Sequence, residues 1–270
     1  MAGGRSTATR IMGIINVTPD SFSDGGFCFG VVRAVAQADA MVEAGADLLD
    51  VGGESTRPFA QAVSEEEELH RVVPAILAIR KKYSLPISID TSKAEVARQA
   101  LLAGADMIND ISALRNDPAM IDLVRATDVP VVIMHMQGTP ENMQVKPQYQ
   151  DVVEEILDFF RERLLWLGEQ GVHCGRIILD PGIGFGKSLT HNLAILRNLS
   201  AFSVLGRPIL LGHSRKGFLG DLTGKQVLER DLGTAVVSAL AVEHGVSIVR
   251  VHDVAASKQA IQISEAIAAL

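Results

Sequence analysis

The chain has 270 residues, 47% of them hydrophobic, which is enough apolar material for one large domain. Its 32 acidic and 25 basic residues leave a formal net charge of −7, which argues against a nucleic-acid binder with a basic face. No apolar run approaches the roughly 20 residues of a membrane helix, and the opening MAGGRSTATR has no apolar core of a signal peptide. With two distant cysteines, Cys28 and Cys174, read as free thiols, a soluble cytoplasmic protein is expected.

In chain order, short apolar runs alternate with longer amphipathic ones. The short runs fall at residues 11–18, 46–53, 86–91, 106–112, 130–136, 176–182, 208–214 and 247–253. Each is nearly continuous in Ile, Val, Leu and Met, the pattern of strands buried on both faces in a parallel sheet. Leu69, Val72, Val73, Ile76 and Leu77 keep the spacing of one helix face. Ser64 with Glu67 predicts a capping box, and Ser92 with Glu95 repeats it. Asp117-Pro118 reads as an N-cap followed by proline at the first helical position. Glycines 45, 104, 171 and 245 fall where helices should end. Eight strand–helix units predict an α/β fold, a single-domain TIM (β/α)8 barrel over 11–270, behind an N-terminal extension of residues 1–10 expected to be flexible. A doubly wound open sheet is the alternative.

A TIM barrel carries its active site at the C-terminal ends of its strands, and those ends are polar. They hold Asn16, then Gly52 to Arg57, Asp90, Asn109, Asp180, then His213 to Lys216, and finally Arg250 and His252. Arg57, Lys216 and Arg250, with His252, suit phosphate oxygens. Asp90, Asn109 and Asp180 suit the hydrogen-bonding edge of a flat heterocycle. Asp110 and Asp253 read as local caps, and alternation sends Asn109 and Asp110 to opposite sides of strand four. His135, between methionines, reads as a core histidine. His191 and His244 read as surface residues, and Glu65 to Glu68 as a solvated helix start. His70 and Arg71 receive no role. PGIGFGKS (181–188) ends like a phosphate-binding loop but has Pro181 where that pattern needs glycine, so it reads as a tight loop.

Together MGIINVTPDSFSDGG (12–26), GGESTRP (52–58), IDTSKAEV (89–96), NDI (109–111), MHMQGTP (134–140), LDPGIGFGK (179–187), SRK (214–216) and RVHDV (250–254) resemble the dihydropteroate synthases, in order along almost the whole chain. The resemblance implies a pterin-binding barrel, a homodimer, and a requirement for Mg2+. It implies condensation of 6-hydroxymethyl-7,8-dihydropterin diphosphate with p-aminobenzoate, by S_N1-like loss of diphosphate and attack of the arylamine, in folate biosynthesis. Sulfonamides would mimic p-aminobenzoate. It assigns the pterin to Asp90, Asn109, Asp180 and Lys216, and the diphosphate to Asn16, Thr56, Arg57, Arg250 and His252. The metal goes to Asn16. Phe22, Arg57, Pro58, Phe185, Ser214, Lys216 and Gly217 would take p-aminobenzoate. The reacting centre would lie among Asp90, Asp180, Lys216, Arg250 and His252. Phe59, Gly217 and the apolar Phe27-Cys28-Phe29 depart from the pattern near the expected p-aminobenzoate site. A methyltetrahydrofolate methyltransferase-type barrel and a non-catalytic pterin binder are the rival readings.

Overall fold

The computed structural model describes residues 8–18, 26–55, 63–140 and 142–269, with the backbone alone for 26–29. The strands are β1 (Arg10–Asn16), β2 (Leu48–Gly52), β3 (Ile87–Asp90), β4 (Met107–Asp110), β5 (Val131–Met134), β6 (Ile177–Asp180), β7 (Leu210–Leu211) and β8 (Ile248–Val251). All pair in parallel, in the order β6-β5-β4-β3-β2-β1-β8-β7. An isolated bridge between Leu179 and Ile209, with Leu179 N–H donating to Pro208 O at 2.9 Å, brings β6 against β7 and closes the cylinder. The fold is the single-domain (β/α)8 barrel that the apolar runs predict.

Alternation along each strand divides the core in two. Ile11, Ile15, Leu49, Val51, Ile87, Ile89, Ile108, Val131, Ile133, Ile177, Leu179, Val249 and Val251 point out toward the helices and form one large apolar layer with them. Met12, Leu48, Met107, Val132, Ile178, Leu210 and Ile248 point in and plug the barrel. One pleat further toward the C-terminal ends, the inward positions turn polar. Asp50 follows Leu48, Asn109 follows Met107, Asp180 follows Ile178 and Arg250 follows Ile248. An apolar floor therefore carries a charged layer.

The helices are α1 (Gly26–Glu43), α2 (Glu65–Lys82), α3 (Ala94–Leu102), α4 (Met120–Ala126), α5 (Val152–Glu169), α6 (Leu189–Arg197), α7 (Gly217–Thr223), α8 (Asp231–Glu243) and α9 (Val254–Ala268). Two of them, α7 and α8, lie between β7 and β8, one more than a bare eightfold repeat needs. Ser64 caps α2 by accepting from Glu67 N. Ser92 does not cap α3. That helix opens after Lys93, and its Ala94 N–H is taken by Asp117 Oδ2 at 2.7 Å. Asp117 Oδ1 also accepts from Ala119 N at 2.9 Å, and α4 begins only at Met120. One aspartate thus serves two helix starts. Glycines 45, 104, 171 and 245 all have positive φ, as expected past helix ends.

The barrel body begins earlier than the expected boundary after residue 10. Arg10 opens β1, and buried Thr9 donates its N–H to Glu265 Oε1 at 2.8 Å and its hydroxyl to Val246 O at 2.9 Å. Among the described residues no helix is long and apolar enough to cross a membrane.

Candidate active site

A cavity of about 1390 Å3 opens at the C-terminal ends of the strands, lined among others by Asn16, Glu54, Asp90, Phe185, Lys216, Arg250 and His252. Arg250, an inward position of β8, lines it. Its Nε donates to Asp50 Oδ2 at 2.5 Å and its Nη2 to Asp90 Oδ2 at 2.7 Å. Asn109 Nδ2 donates to the same Asp50 oxygen at 3.2 Å. The sequence assigns Arg250 to phosphate oxygens and Asp90 to the heterocycle, whereas here one guanidinium binds two carboxylates. Burial pushes Asp90 up to about 7, against the pull of Arg250 and reinforced by the Asp50 charge. Burial also works against the Arg250 charge, but Asp50 and Asp90 together hold it above the ordinary arginine value.

Asp180 ends β6 and is buried, as is Asn109. Asp180 Oδ1 accepts from Gly182 N at 2.8 Å, which shapes the turn that follows the strand. Burial raises the Asp180 carboxyl, opposed by the Gly182 N–H and by the charges of Lys216, Arg250 and Lys187. Lys216 follows β7. Burial lowers its ammonium to about 8, and the attraction of Asp180 limits the fall. Its Nζ stands 3.8 Å from the centre of the Phe185 ring, a cation–π contact.

Ser214 and His252 form a second unit. The His252 backbone N–H donates to Ser214 Oγ at 3.1 Å, and that hydroxyl lies 2.9 Å from His252 Nδ1. The hydroxyl therefore contacts both the backbone and the ring of His252 and fixes the orientation of the imidazole. Gly217 opens α7 with nothing within 4 Å of where a Cβ would stand. Asn16 ends β1, half-buried on the cavity wall. Phe22, Thr56, Arg57, Pro58 and Phe59 lie outside the described residues, as do the side chains of Phe27, Cys28 and Phe29.

Support comes from residues the sequence reading set aside. Glu68 is not solvated. It is buried and binds Lys93 Nζ at 2.5 Å, and the same ammonium reaches Glu54 Oε2 at 2.6 Å. Arg71 is not idle. It is buried, pairs with Glu67 and donates to Gly53 O at 2.7 Å. His191 is not a bare surface residue, since its Nδ1 accepts from Ser188 N at 3.2 Å in the capping box of α6. Arg215, with φ 57°, is held by a two-pronged pair with Asp231 at 2.7 and 2.8 Å. Asp253 caps α9 through Ala256 N, and Asp110 accepts from Ser112 N and Leu114 N, both as expected. His135 is buried, in keeping with a core histidine. Asp50 is not among the sequence-based candidates, because it lies two residues before the Gly52 that ends β2. Period-two alternation from Leu48 points to it.

A family model described as pterin binding enzyme matches residues 12–252. The dihydropteroate synthase of Haemophilus influenzae is 46% identical over 96% of this chain and 94% of its own length. A structure of the Xanthomonas albilineans dihydropteroate synthase with 4-aminobenzoic acid superimposes with a TM-score of 0.92 at 47% identity, covering 97% of this chain and 94% of that one. Another, in complex with 7,8-dihydropteroate, gives 0.88 at 44% identity, over 97% and 95%. A charged layer on an apolar barrel floor, a match over most of the length and relatives this close place the chain in the family of pterin binding enzymes.

Proposed function

We propose that the chain condenses 6-hydroxymethyl-7,8-dihydropterin diphosphate with p-aminobenzoate to give 7,8-dihydropteroate and diphosphate. The observation that carries this reading is the meeting of Asp180, Lys216, Arg250 and His252 at one end of the barrel, in a chain so similar to dihydropteroate synthases. Asp180 and Asn109 read the N–H edge of the pterin, with Asp90 and Arg250 beside them. Lys216 sits between the pterin and the arylamine. The methylene carbon–oxygen bond breaks, and its electron pair leaves with the diphosphate. The electron-rich dihydropterin ring delocalises the cation that remains. The arylamine nitrogen attacks this centre and releases a proton, and since it is already nucleophilic it needs no strong base. His252 and Asn16 face the departing diphosphate, together with Thr56 and Arg57, as preorganised polar groups. Phe185, Ser214 and Gly217 border the arylamine, with Phe22 and Pro58.

Among the described residues no group of three or more His, Cys, Asp or Glu could cage a metal ion. Mg2+ keeps its waters and leans on phosphate oxygens, so the residues present fit it as a companion of the diphosphate, with the Asn16 carboxamide as the protein contact. Bound there, it neutralises charge on the leaving group. The chain works as a cytoplasmic homodimer. The test is diphosphate release. Release that needs both the pterin diphosphate and p-aminobenzoate, and that a sulfonamide inhibits competitively against p-aminobenzoate, is the expected result. Release that ignores p-aminobenzoate, or none at all, rejects the reading in favour of the methyltransferase-type or non-catalytic barrel.

A further inference from the structure

Lys187 is a buried lysine with no part in the chemistry described so far, 3% exposed in the loop after β6. Its ammonium meets three neutral acceptors: His135 Nδ1 at 3.0 Å, Phe185 O at 3.0 Å and His135 O at 3.3 Å. Burial keeps the His135 imidazole neutral, so Nδ1 is free to accept. His135 is itself fixed. Its backbone N–H donates to Asp180 O at 3.0 Å, and its ring stands edge-on to Phe159, with centroids 5.0 Å apart. The loops after β5 and β6 are in backbone contact here, since a Cβ on Gly182 would fall on His135 O. Between these anchors Phe185 turns its ring onto Lys216 and packs with Met134, Met136 and Met143.

We propose that Lys187 is a positioning residue for the arylamine half of the site. Its ammonium ties the loop after β5 to the loop after β6 and so holds the Phe185 ring against Lys216. Burying an ammonium is costly unless every proton finds a partner. The three acceptors supply those partners, two on the loop after β5 and one on the loop after β6. Burial lowers the Lys187 ammonium to about 7, and the Asp180 charge opposes that fall with an attraction that a neutral side chain would lack. The two half-sites depend on this tether differently. The pterin acceptors hang on strand ends, whereas Phe185 hangs on the loop that Lys187 secures. The inference rests on the proposed reaction and names the part of the site that fixes its second substrate.

The test is steady-state kinetics with both substrates on the full chain. Lys187→Met should raise the KM for p-aminobenzoate about tenfold, while the KM for the pterin diphosphate and kcat stay within about threefold. His135→Leu should do the same. His135→Asn, which keeps an acceptor near the Nδ1 position, should return the p-aminobenzoate KM to within about threefold of the parent. The two His135 variants keep the test decisive if Lys187→Met does not fold. An unchanged p-aminobenzoate KM in Lys187→Met or His135→Leu overturns the tether, as does a loss shared equally by both substrates. So does His135→Asn behaving like His135→Leu. A parent chain without turnover rejects the reaction and the tether together. A parent that turns over beside unaffected variants rejects the tether alone.

Discussion

Asp180 Oδ1 caps the turn at Gly182, while Oδ2 lies against Gly212 at the open end of β6. The substitution Asp180→Asn can keep the cap through the amide oxygen, but it turns an NH2 donor toward the ligand where an acceptor stood. Hydrogen bonds to charged groups contribute about 1.5–3 kcal/mol. The expected result is a fall of about tenfold to a hundredfold in kcat/KM for the pterin diphosphate, with the thermal midpoint little changed. Normal kcat/KM in that variant rejects the pterin-edge assignment. The pH profile tests the same cluster. Asp90 pairs with the Arg250 charge only when ionised, so its contribution appears as pH rises through about 7. Lys216 must be protonated to act as a cation, so its contribution disappears as pH rises through about 8. A narrow bell in kcat/KM with limbs near those values is expected, and the limbs belong to the coupled cluster as a whole. A flat profile from pH 6 to 9 contradicts it. At this scale Asp180, Lys216 and His252 were legible because each stands at or just past a strand end. Lys187 was not, because its partners His135 and Phe185 are 52 and 2 residues away and only the folded loops join them.

Elements differ in how much of their placement is local. All eight strands announce themselves as continuous apolar runs, because a parallel strand covered on both faces cannot show a polar side. Helix starts depend on neighbours. Ser92 had the right spacing, yet Asp117 arrives from the next loop and takes the Ala94 N–H instead. The eightfold repeat predicts one helix after β7, but two form there, because Gly224, at φ 70°, ends α7 before α8 begins. The inner face of α8 is tied to the end of β7 by buried His213, whose Nε2 lies 3.0 Å from both Thr234 O and Ser238 Oγ. Burial lowers this imidazole to about 4. In the unfolded chain it takes a proton near 6.5. Between those values the unfolded state binds more protons, so His213 costs stability as pH falls from about 6.5 to 4, by up to about 3 kcal/mol. Asp110 has the opposite sign. Burial raises it to about 6, so it favours the folded state as pH falls through the same range. Comparing the parent with His213→Gln cancels Asp110. The parent's advantage in denaturant unfolding should be largest at pH 7 and shrink toward pH 4. An advantage that stays constant with pH contradicts the buried neutral histidine.

The molecule as a whole leaves apolar side chains uncovered on one pair of packed helices. On α8, Leu232 is 77% exposed and Val236 and Leu240 are each 52% exposed, at the four-residue spacing of a single helix face. On the neighbouring α9, Ile263 and Ile267 are 63% and 66% exposed, again four residues apart. Leu228, just before α8, is 77% exposed. Scattered apolar residues on a surface need no explanation, but rows of them along adjacent helices mark a contact face. Their spacing is readable in the sequence. Their exposure is not, because the same spacing on the other helices marks a face turned to the barrel. A twofold pairing through α8 and α9 would cover both rows with the same rows of a second copy, which is how a self-complementary patch closes. Fully covering a large apolar side chain contributes roughly 1.5–3 kcal/mol, so several together can offset the cost of association, on the order of 4–15 kcal/mol. Sedimentation of the parent at micromolar concentration should therefore give a dimer. Leu232→Glu combined with Val236→Glu should give a folded monomer, because each charge would be stranded in the contact without a partner. A parent that sediments as a monomer, or a double variant that stays dimeric, rules out this face as the site of pairing.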